Sequence, residues 1–103
     1  METRHLRFFC VLAAELHFTR AAFLLNISQS ALSHQIKQLE DELGTQLMER
    51  TNGRVRLTPA GEMFLLGATR LLEQMDQAVH EAARIGQGDL GSLGHWGSEH
   101  HGV

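Results

Sequence analysis

The segment Ser28-Gln29-Ser30-Ala31-Leu32-Ser33-His34-Gln35-Ile36-Lys37-Gln38-Leu39-Glu40-Asp41-Glu42-Leu43-Gly44 reads as one amphipathic helix with a start, a stop and two unlike faces. Ser28 is a capping hydroxyl, and Gly44 stands where a left-handed residue ends a helix. At about 100° per residue, Leu32, Ile36, Leu39 and Leu43 fall within about 60° of one another. Ser30, His34, Lys37 and Asp41 occupy the opposite face. The stripe predicts an edge buried in a core, and the polar face predicts a side held outward.

Upstream lies a short helix. Thr19 is its expected cap, and Arg20-Ala21-Ala22-Phe23-Leu24-Leu25 its body. The small pair Ala21-Ala22 permits a close helix crossing, and Asn26-Ile27-Ser28 breaks the pattern. A short helix, a three-residue turn and a longer helix with a polar outer face constitute a helix-turn-helix, spanning about 18–37. Further upstream, Leu6, Phe9, Cys10, Ala13 and Leu16 recur at helical spacing and predict a first helix from Thr3 to Leu16, with Thr3 as cap.

Downstream, Leu47 to Leu57 reads as a hairpin. Asn52-Gly53 is a strong turn signal, because both central residues of a type I′ turn need positive φ. Val55 and Leu57 alternate with Arg54 and Arg56, giving one apolar and one cationic face. Thr58-Pro59 then opens a long helix, with proline at the first helical position. Along it Phe64, Ala68, Leu71, Met75, Ala78, Ala82 and Ile85 follow at alternating spacings of about four and three, a coiled-coil seam expected to pair with a second subunit, the alternative partner being this domain's own core. Leu65, Leu72 and Val79 widen it. The regular pattern fails at Gly86, and disorder is expected for the Gly-rich tail 87–103.

The fold class expected is therefore mainly α. Residues 1–58 form a winged helix-turn-helix of three helices and a two-stranded wing, and 59–86 a linker and dimerisation helix. In this arrangement the short helix braces the longer one, whose N-terminal residues enter a major groove about 12 Å wide. The candidate DNA-binding side chains are Thr19, Arg20, Ser28, Gln29, Ser30, Ser33, His34 and Lys37, with Arg50, Arg54 and Arg56 on the wing.

Charge permits this reading without demanding it. The net charge of the 103 residues is −3, whereas nucleic-acid binders are usually cationic where they touch. Residues 1–58 hold seven Lys/Arg against six Asp/Glu, and 59–103 hold two against six, so the acidity lies mostly in the second half. Cys10 is alone, which excludes an internal disulfide, and is expected to be a small buried thiol. His95, His100 and His101 in the tail lack the fixed spacing of a metal site. Ser33, His34 and Asp41 do not make a triad, since Ser33 and His34 are adjacent and diverge by about 100°. Glu40-Asp41-Glu42 reads as a solvated helix end. With no catalytic grouping, phosphate loop or carboxylate pair, no enzyme is expected, and no cofactor or metal. No segment reads as a signal peptide or membrane span, so the expected location is cytoplasmic.

The residues also resemble the N-terminal domain of LysR-type transcriptional regulators. The matching string is His5-Leu6-Arg7-Phe8-Phe9, Phe18-Thr19-Arg20-Ala21-Ala22, Ser28-Gln29-Ser30-Ala31-Leu32-Ser33, Gln35-Ile36, Leu39-Glu40, Glu42-Leu43-Gly44, Gln46-Leu47, Glu49-Arg50 and Leu57-Thr58-Pro59-Ala60-Gly61. It covers residues 1 to about 86 without gaps. The resemblance implies a sequence-specific DNA-binding regulator that reads a partly palindromic operator as a dimer. In such regulators residues like Ser28–Lys37 form the recognition helix, and the helix from Pro59 pairs antiparallel with its twin. Many relatives carry arginine where this chain has His34, and phenylalanine where it has Met48. Such regulators continue into a small-molecule effector domain, for which the sequence after Gly91-Ser92-Leu93 shows no counterpart. DNA binding without ligand sensing is therefore expected. The alternative is a truncated interaction protein that heterodimerises with a full-length regulator through 59–86.

Overall fold

In the computed structural model, which describes residues 1–87, the chain runs α1 (Thr3–Glu15), α2 (Phe18–Leu25), α3 (Gln29–Leu43), β1 (Met48–Thr51), β2 (Arg54–Leu57) and α4 (Pro59–Gly86). Two compact units result. Met1–Leu72 holds the three short helices, the hairpin and the first half of α4, while the remainder of α4 belongs to the second unit, from Glu73 on.

The stripe on α3 is the floor of the first unit's core. Leu32 and Leu39 are fully buried and Ile36 nearly so, packed with Phe9 and Leu12 of α1, Ala21 and Ala22 of α2, and Leu47 and Met48. Burying one such large side chain stabilises by about 1.5–3 kcal/mol, so this cluster is a main tie among the three short helices. Leu43, at the end of the stripe, is half-buried. The small side chains of Ala21 and Ala22 let α2 sit close to its neighbours, as their size demands.

Local chemistry sets the boundaries. Ser28 Oγ accepts the Ala31 N–H at 3.0 Å, and Gly44 ends α3 at φ 72°. Thr58 Oγ1 accepts the Gly61 N–H at 2.9 Å and donates to the Gln46 carbonyl at 2.7 Å, fixing the start of α4. Two expected caps are corrected. Glu2, not Thr3, precedes α1, and its N–H donates to His5 Nδ1 at 2.9 Å. His17, not Thr19, caps α2, with Nδ1 accepting the Arg20 N–H at 3.0 Å. An imidazole nitrogen serves the same purpose as a hydroxyl oxygen there, a substitution that a rule built on Ser, Thr, Asp and Asn overlooks. Leu16, expected inside α1, is instead its left-handed terminal residue at φ 52°.

The wing is a two-stranded antiparallel sheet pairing Met48 with Leu57 and Thr51 with Arg54. Asn52 and Gly53 have φ of 52° and 75°, the positive pair a two-residue hairpin turn needs. Val55 and Leu57 are half-buried and Arg54 and Arg56 exposed, so the alternation holds.

The first half of α4 requires a correction. Phe64 and Ala68, expected on a seam between subunits, face the chain's own core. Ala68 is 1% exposed, and the Phe64 ring meets Phe9 edge-on with centroids 5.4 Å apart. A helix leaving a domain covers that domain's apolar surface first, and heptad spacing does not distinguish this from pairing with a twin. Gly61 marks the closest approach, since a Cβ there would stand 2.1 Å from the Leu47 carbonyl oxygen. Further along, Leu71 is exposed; in the second unit Met75 is half-buried, and Ala78, Ala82 and Ile85 are exposed. The expected disorder of 87–103 and the tail histidines lie outside the described residues, save Gln87.

Candidate nucleic-acid interface

The capped, buried α3 holds its other face in solvent. Ser30, His34 and Lys37 are all exposed, while Ser33 is half-buried at the flank. Lys37 forms an i,i+4 ion pair with Asp41 at 3.7 Å. Exposed pairs of this kind are weak, so the ammonium remains available to a stronger anion.

The start of α3 is tied to α2. Thr19 Oγ1 donates to Gln29 Oε1 at 3.2 Å, and the Ser28 and Ser30 hydroxyls lie 3.3 Å apart. Thr19, Gln29, Ser28 and Ser30 thus form one polar cluster where the two helices meet. Arg20 of α2 reaches Glu15 at the end of α1, Nε to Oε1 at 3.2 Å, and both groups reach solvent.

The wing arginines divide into two kinds. Arg54 and Arg56 are exposed on β2, Arg54 directly after the turn. Arg50, on β1, lies with its guanidinium 4.0 Å from the centroid of the Phe18 ring, and its Nη2 is 3.5 Å from Ser33 Oγ. A shallow depression runs between the wing and the helix-turn-helix, lined by Phe18, Thr19, Gln29, Arg50 and Gly53 among others. Of the eleven expected contact residues, ten are exposed, Arg50 among them, and Ser33 is half-buried. Arg50 engages Ser33, Thr19 engages Gln29, and Arg20 and Lys37 pair with Glu15 and Asp41.

Sequence reasoning missed Glu40. It is no solvated helix end, because its Oε2 accepts the backbone N–H of Leu47 at 2.8 Å and of Met48 at 3.1 Å. One carboxylate therefore fastens the root of the wing to α3. Its acidic neighbours are also partnered, Asp41 by Lys37 and Glu42 by the Met1 α-amine. Phe18 was missed as well, because its partner lies 32 positions away. Spacing within one element could have signalled neither.

Cys10, expected buried, is only half-buried and free. Burial pushes its thiol above the ordinary range, opposed by a hydrogen bond to the Thr69 side chain. Among the described residues no group of three His, Cys, Asp or Glu is placed to share a metal ion. None of the described helices is long and apolar enough to cross a membrane.

Three helices, a hairpin with cationic edges and an outward polar recognition face define a winged helix-turn-helix. The sequence model for "Bacterial regulatory helix-turn-helix protein, lysR family" matches residues 3–62. The chain belongs to the LysR family. It is 50% identical over 93 residues to YnfL of Escherichia coli (strain K12), an uncharacterised HTH-type transcriptional regulator, covering 90% of this chain and 31% of that protein. It is 48% identical over 93 residues to the HTH-type transcriptional regulator AlsR of Bacillus subtilis (strain 168), with the same coverage. Among solved structures, the BenM DBD bound to catB site 1 DNA superposes with a TM-score of 0.83 at 47% identity, covering 86% of this chain and 96% of that one. The chain spans about a third of the length of the curated relatives just named (31%).

Proposed function

We propose that this chain is the operator-reading part of a LysR-type transcription regulator, acting in the cytoplasm on double-stranded DNA. The carrying observation is that α3 buries Leu32, Ile36 and Leu39 while presenting Ser30, His34 and Lys37 to solvent. In this reading α3 enters the major groove, where His34 and Ser30 meet base edges, and Lys37 and Arg54 meet flanking phosphates. The α2 start, with Thr19 and Arg20, follows the backbone, and Arg56 extends the wing's charge. The likeness to a DNA-bound BenM domain supports the same use of the same face.

Homodimerisation through α4 belongs to the proposal, carried by Leu71 and, in the second unit, by Met75, Ala78, Ala82 and Ile85. A two-fold dimer meets a partly palindromic site with one recognition helix per half-site. The chain's role is recognition, not catalysis. The test is a titration of duplex DNA at several salt concentrations. Phosphate contacts make log affinity fall linearly with log salt, by about 0.9 per contact. A flat and weak response favours the alternative, an α4-mediated heterodimer that withholds a full-length relative from DNA.

A further inference from the structure

We propose that Arg50 is a positioning residue, a strut that sets the wing against the recognition helix and acts on DNA through that placement. The inference rests on the DNA-reading function above and assigns Arg50 a role different from that of Arg54 and Arg56. Three observations carry it. The guanidinium lies 4.0 Å from the Phe18 ring centroid at the start of α2. Its Nη2 reaches Ser33 Oγ of α3, at 3.5 Å. Arg50 is also paired across the hairpin with Val55, two residues before the Asn52-Gly53 turn. One side chain therefore touches α2 and α3 from the middle of β1, so holding it fixes where the turn and Arg54 go.

Phe18 is a firm base for this, since it is 9% exposed and packed in the core. Glu40 secures the wing's root at Leu47 and Met48, and Arg50 is the next attachment toward the tip. The chemistry calls for arginine. A planar guanidinium stacks on an aromatic face and still directs N–H groups from its edge, whereas an ammonium is a strongly hydrated point charge without a plane. Arg54 and Arg56 on β2, exposed as Arg50 also is, have no such anchorage among the described contacts and remain the wing's phosphate-facing charges.

The test uses the whole chain with Arg50→Lys, Arg50→Gln and Ser33→Ala. Backbone order of residues 50–56 is measured by amide relaxation in the DNA-free protein, with α3 amide protection confirming that each variant is folded. All three substitutions are expected to loosen the wing. They should weaken duplex affinity about two- to fivefold and leave the slope of log affinity against log salt unchanged. Wing amides as ordered as in the parent overturn the proposal. So does a salt slope lowered by about 0.9 in Arg50→Gln and restored in Arg50→Lys, which marks a direct phosphate contact. If the parent chain itself shows no salt-dependent duplex affinity, the DNA-reading function fails, while the wing measurement still decides whether Arg50 is a strut.

Discussion

At the scale of single residues, the proposal assigns one imidazole and one guanidinium to two kinds of recognition. His34 stands on the exposed face of α3 with freedom to donate to a base edge. His34→Ala is expected to reduce discrimination between cognate and altered duplexes by about 1–3 kcal/mol, read from competition binding. Arg54, beside the turn, is proposed to reach the DNA backbone instead. Arg54→Ala is expected to weaken all duplexes alike and lower the salt slope by about one unit. Away from the interface, Gly61 is a steric requirement. A Cβ there would stand only 2.1 Å from the Leu47 carbonyl oxygen, so Gly61→Ala must push α4 off the wing's root. A loss of about 1–3 kcal/mol in urea unfolding is the expected result.

At the scale of elements, periodicity and contact carry different information. The α3 stripe, its Ser28 and Gly44 ends and the Asn52-Gly53 turn were legible because each is written within a few consecutive residues. The polar face of α3 followed from the same wheel. What escaped were the joints between elements. Glu40 on α3 accepts two N–H groups from the start of the wing, and nothing in its neighbours Leu39 and Asp41 announces that. His17 was passed over because its ring nitrogen does a job usually assigned to hydroxyls and carboxylates. The Glu40 joint makes its own prediction. Glu40→Ala strands the Leu47 and Met48 amides in a part-buried setting, with an expected cost of about 1–3 kcal/mol in urea unfolding and loss of amide protection at both positions. An unchanged unfolding midpoint would show that water replaces the carboxylate without penalty.

At the scale of the whole molecule, α4 illustrates how one heptad pattern serves two ends. Its first half covers the core through Phe64 and Ala68, and sequence spacing ran on through both without a sign of the change. The exposed apolar residues beyond, with Ala78 and Ala82 small enough for close helix approach, are where pairing with a second copy is proposed. Ala78→Glu combined with Ala82→Glu is expected to shift sedimentation from dimer toward monomer and weaken binding to a two-half-site duplex, sparing the melting of the first unit. Sedimentation unchanged by the pair of charges would place the dimer elsewhere.

The central claim is that the outward face of α3, with the wing beside it, is what meets DNA. Amide chemical-shift mapping during titration with an operator half-site tests it most directly. Large shifts are expected across Gln29–Lys37 and 50–56, with the far end of α4 little changed. Shifts confined to α4, or none along α3 at saturating duplex, would contradict it.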